Sequence, residues 1–100
     1  MRLTEYEINA IKNSAVKFFG SDSNVYIFGS KIDDSKKGGD IDIFIETNQS
    51  VDNFKAKIKF LVELERKIGE RKIDVIIKNR NSNENLPIYE IAKQQGVLLQ

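Results

Sequence analysis

The sequence predicts an α/β domain in which a small mixed β-sheet is flanked by helices. Two segments, residues 4–20 and 52–69, carry apolar side chains at spacings of three and four, the period of an amphipathic helix. Three others, residues 25–28, 40–46 and 71–78, are short runs rich in β-branched and aromatic residues. The two kinds of segment follow one another as helix, strand, strand, helix, strand, helix, the grammar of a layered α/β fold. About 25 residues separate the second and third strands, a length that suits a helical crossover.

Each element has its own signals. The first helix opens with Thr4 as N-cap, Glu7 completing a capping box and Leu3 placed to staple against Ile8. Ile8, Ile11, Ala15 and Phe18 form its apolar stripe, and Gly20 ends it. "VYIF" reads as a strand buried on both faces and stopped by Gly29. Asp40–Glu46 forms the second strand. Asp52 caps the second helix, whose predicted core face is Phe54, Ile58, Leu61, Leu64 and Ile68, with Gly69 as its stop. After the third strand, the polar loop "NRNSNENLP" leads to a short helix starting near Pro87 and ending at Gly96, and "VLL" beyond it suits an edge strand.

Composition narrows the chemistry. The 100 residues suit a single domain, 1–100, with one modest core and no room for a second lobe. Net charge is +1 at pH 7, so no global field favours nucleic acid, and no direct nucleic-acid binding is expected. There is no His and no Cys, which removes imidazole bases, thiolate nucleophiles, disulfides and the metal sites built on them. Carboxylates, Lys, Arg, hydroxyls and backbone remain. No secretory leader is visible in "MRLTEYEINA" and no apolar run approaches bilayer length, so a soluble, cytoplasmic protein without membrane contact is expected.

Two carboxylates interrupt the apolar second strand. Side chains alternate across a strand, so Asp40 and Asp42 share one face while Ile41 and Ile43 take the other. Carboxylates held side by side stay ionised together only with positive charge between them, and a divalent cation with oxygen ligands supplies it. A lone Asp-x-Asp on a solvated strand edge needs no such ion. Here, however, Asp74 is the single acid of the third strand, flanked by Ile73 and Val75 on the opposite face. Gly29 permits close backbone approach to a ligand, and Ser30 offers an N–H and a hydroxyl to a phosphate. Lys31, Lys36 and Lys37 put positive charge in the same connection, although Lys36 and Lys37 also suit a solvated loop.

"FGSKIDDSKKGGDIDIF" with the later Asp74 resembles the DNA polymerase β-like nucleotidyltransferase superfamily: Gly-Ser, a spacer, Asp-apolar-Asp-apolar, then one strand acid. At this length it most resembles the minimal nucleotidyltransferases, the antitoxin partners of HEPN-domain toxins. The resemblance implies that fold, two Mg²⁺ ions held by Asp40 and Asp42 with Asp74 on the catalytic one, and an NTP such as ATP held at Gly29, Ser30 and Lys31. It further implies transfer of an NMP, AMP from ATP, to a hydroxyl of a partner HEPN toxin, with a tyrosine as acceptor. Lys31 and Asp34 stand where many members carry Arg and a small residue, and Lys lacks the bidentate fork of Arg. Two other readings stay open: transfer to a small hydroxylated molecule, and a nucleotide- and metal-binding antitoxin or regulatory subunit without catalysis.

Overall fold

The computed structural model describes residues 3–29, 40–48 and 53–100. The chain runs through α1 (Glu5–Phe19), β1 (Asn24–Phe28), β2 (Ile41–Thr47), α2 (Asn53–Ile68), β3 (Ile73–Asn79), α3 (Pro87–Gln95) and β4 (Val97–Leu98). The strands form one sheet in the order β3-β2-β1-β4. β1 pairs antiparallel with β2 and with β4, whereas β2 and β3 run parallel across the α2 connection. The sheet is therefore mixed, as expected.

Local chemistry accounts for the ends of the elements. Thr4 caps α1, accepting from the Glu7 N–H at 3.1 Å while Glu7 accepts from the Thr4 N–H at 2.9 Å. Gly20 and Gly69 close α1 and α2 at φ +98° and +87°, where other residues are strained. Pro87 opens α3, where its missing N–H has no intrahelical partner to lose. The expected cap of α2, Asp52, lies outside the described residues.

Two apolar layers sandwich the sheet. Val25, Ile27, Ile41, Ile43, Ile45 and Val75 face α1 and α2, meeting Ile11, Ala15, Phe19, Ala56, Phe60 and Leu64. Phe19 and Phe60 meet edge to face, with centroids 5.7 Å apart. On the other face Phe44 lies between Tyr26 and Tyr89, at 5.8 and 5.5 Å, under α3. The buried Thr47 hydroxyl donates to the Phe19 carbonyl at 2.7 Å, tying the end of β2 to the end of α1.

Several sequence expectations shift. β2 and β3 each lie later than expected, so Asp40 precedes β2 and Arg71 and Lys72 precede β3. The core face of α2 is rotated: Ala56, Phe60 and Leu64 are buried, Leu61 and Ile68 pack at the margin, and Phe54 and Ile58 are 70% and 46% exposed. Similarly α1 buries Ala10, Ile11, Ala15 and Phe19, with Ile8 and Phe18 at its margin. No helix among the described residues is long and apolar enough to cross a membrane.

Candidate active site

The register of β2 and β3 builds the site. Ile41 pairs with Ile73 and Ile43 with Val75, and these four side chains anchor the strands in the core. Strand alternation then turns the intervening residues to the opposite face, where Asp42 stands directly beside Asp74. Asp42 is half-buried and Asp74 exposed, so this carboxylate row is reachable from solvent. The next row is apolar, Phe44 beside Ile76, and belongs to the layer under α3.

β1 supplies the second wall. Phe28 is the antiparallel partner of Asp42, which places both side chains on one face, and the chain turns out of the strand at Gly29. Gly29 holds φ +78°, and a Cβ built on it would collide with the Asp42 carboxylate oxygen. Glycine is thus required twice, by conformation and by space. Its naked backbone brings the carboxylate and the outgoing chain together.

Asp40 stands just before β2. Its carboxylate lies 3.6 Å from the Lys72 ammonium, and the Ile41 N–H donates to the Lys72 carbonyl at 3.0 Å. Burial pushes the Asp42 pKa above its ordinary value, the charges of Asp74 and Asp40 push it further, and Lys72 pulls against them. A carboxylate so placed marks a spot where positive charge is favoured. Even so, no three acids among the described residues converge into a finished cation cage. Of the three expected acids, Asp42 and Asp74 are register partners on adjacent strands, while Asp40 is engaged by Lys72.

Ser30 and Lys31, expected to hold the triphosphate, lie outside the described residues, as do Asp33, Asp34, Lys36 and Lys37. Lys72 was missing from the sequence-derived set. Its signal was available: it stands two residues before Asp74 and so shares a face with it. A cleft of about 190 Å³ between α1 and α2, lined by Tyr6, Asn9, Ala10, Asn13 and Lys67, is on the helical layer and takes no part in this arrangement.

The donor set can be tested against a cation. Hard carboxylate oxygens on adjacent strands, one of them raised in pKa by burial and then by its neighbours' charge, fit a hard divalent ion such as Mg²⁺, which needs only one or two protein carboxylates and fills its shell with water and phosphate oxygens.

Residues 9–100 match the family model described as "Polymerase beta, Nucleotidyltransferase". No curated protein matches the chain. The family match covers both strands that carry the acids, the Gly29 turn and the α2 crossover between them, and with it the mixed sheet and its helices find their place: the chain belongs to the polymerase β nucleotidyltransferase family.

Proposed function

We propose that the protein transfers a nucleoside monophosphate, AMP from ATP, to a hydroxyl on a partner protein, the acceptor being a tyrosine of a HEPN-domain toxin that the modification silences. The family implies an NTP substrate. The observation that carries the catalytic part is the Asp42–Asp74 row beside Gly29, with Asp40 one step away. The acceptor rests on the likeness of "FGS…DIDIF" to the minimal nucleotidyltransferases.

In this reading the acceptor oxygen attacks the α-phosphorus in line. One O–P bond forms, the bond from that phosphorus to the bridging oxygen breaks, and pyrophosphate leaves. Asp40, Asp42 and Asp74 are the residues that would hold the two divalent ions. When bound, those ions supply positive charge that neutralises the phosphates and acidifies the acceptor hydroxyl. Asp74, exposed at the start of β3, is the carboxylate an incoming hydroxyl meets, and it orients that group and takes its proton. Asp42, half-buried, lies close against the backbone of Gly29. Ser30 and Lys31 bind the triphosphate, with Lys31 as a point charge in place of a fork. The protein contributes position and charge, which is most of what phosphoryl transfer asks of it.

Asp74→Asn tests this reading against a non-catalytic antitoxin. ATP titration with Mg²⁺ should show binding largely retained, while mass spectrometry of a co-expressed HEPN-domain partner should show the added nucleotide monophosphate only with wild type. Asp42→Asn should damage binding and transfer together. Equal neutralisation of the partner by wild type and Asp74→Asn, with no added mass in either, overturns catalysis in favour of occlusion.

A further inference from the structure

The face of the β2–β3 pair that turns toward α3 is laid out in rows: Asp42 beside Asp74, Phe44 beside Ile76, Glu46 beside Lys78. One step earlier the row is Asp40 beside Lys72, with 3.6 Å between Nζ and Oδ2. A row of like charge is thus bordered by a row of opposite charge. The three acids carry three formal negative charges and Lys72 one positive, which leaves the charge of a single divalent cation to be balanced. We propose that Lys72 is the site's resident counter-ion: it holds Asp40 while the site is empty and so sets how tightly the first divalent cation binds, an inference that rests on the cation-dependent reading above.

Two properties of the pair suit an exchange. Lys72 and Asp40 side chains are 71% and 49% exposed, and ion pairs that open to water contribute little to stability, so the contact is easily given up. The ammonium also sits on a flexible four-carbon stem, which lets it leave Asp40 without moving the strand. Until it leaves, it opposes the incoming ion in two ways, by occupying a carboxylate oxygen and by repelling like charge. Lys72 is a positioning residue, acting through Asp40. A merely structural ion pair at the start of β3 would change the melting temperature and leave cation affinity alone.

The test is Mn²⁺ titration of the full chain without nucleotide, by calorimetry and by electron paramagnetic resonance of the free ion, for wild type, Lys72→Met, Lys72→Gln, Lys72→Arg and Asp42→Asn, each checked by thermal melt. Lys72→Met and Lys72→Gln should bind Mn²⁺ roughly three- to tenfold more tightly, the scale set by removing one unit charge several ångströms from a divalent ion in a water-rich site. Lys72→Arg should stay near wild type, and added salt should narrow the gap. Unchanged or weaker Mn²⁺ affinity in both neutral variants, with Asp42→Asn still abolishing binding, overturns the role of Lys72 and leaves the cation site standing. Wild-type chain that binds no Mn²⁺ sensitive to Asp42→Asn overturns both.

Discussion

Alanine at position 29 should harm the protein in two ways. The backbone there sits at φ +78°, and the added methyl would enter the Asp42 carboxylate. Left-handed geometry alone costs about 1 kcal/mol for an L-residue, so Gly29→Ala should lower unfolding free energy by at least that amount in a urea titration and weaken nucleotide binding as Asp42 is displaced. Asp42 itself should leave a signature in pH. Its folded pKa is raised, chiefly by burial and then by Asp74 and Asp40, so its favourable contribution is full below the ordinary value of 3.8 and is lost as pH rises through the folded pKa. In chelator, Asp42→Asn should therefore be more stable than wild type near neutral pH, and the gap should close as pH falls into the carboxylate range. Melts at stepped pH measure it; a gap that widens toward acid contradicts the assignment. The acids were legible in sequence because strand alternation is strict: two residues apart means one face. The Gly29–Asp42 contact was not, since it depends on how the β1–β2 pair is registered; the spacing of Lys72 from Asp74 was there to read, but its pairing with Asp40 was not, since a lysine at a strand end looks the same whether it pairs or is merely solvated.

At the scale of the element, α2 shows what periodicity leaves open. Its apolar residues spread over a wide arc, and spacing alone does not say which part of the arc is buried. The structure buries Ala56, Phe60 and Leu64, where small Ala56 lets the helix approach and Phe60 meets Phe19. Packing beside α1 therefore decides the rotation. Phe60→Ala should cost about 3–5 kcal/mol as a large buried side chain is lost, whereas Ile58→Ala, at a position 46% exposed, should cost under about 1 kcal/mol. Chemical denaturation of the two variants compares them directly; similar losses would mean the sequence-derived face was correct after all. The start of α1, by contrast, was readable in full, because a capping box is local chemistry within four residues, Thr4 to Glu7. Glu7 adds a longer reach. Burial would raise its pKa, but the Thr4 backbone N–H and the Arg71 guanidinium outweigh that and lower it. The contact with Arg71 joins the first turn of α1 to the segment leading into β3.

For the molecule as a whole, the parallel pairing of β2 with β3 is the step that makes the site. Ile41, Ile43 and Ile45 drive that pairing by burying one face, and the register they impose sets Asp42 against Asp74 on the other. Geometry and charge thus disagree at one point of an otherwise consistent sheet, which is local frustration in the energy-landscape sense. In chelator at low ionic strength, Asp74→Asn should melt at a higher temperature than wild type, and saturating Mg²⁺ should raise wild type while leaving the variant less affected, since a ligand stabilises by its affinity for the folded state alone. Scanning calorimetry in the two buffers gives the comparison; a wild type that outlasts Asp74→Asn in chelator would show the row to be without conflict. The charge conflict has a further consequence under the proposed function. On the cation-dependent reading proposed above, a sheet whose acids repel one another gains from each cation it binds, so the occupancy of the site and the rigidity of the β2–β3 seam should rise and fall together. Slow hydrogen exchange along that seam would then report the loading of the site from amides far from any ligand.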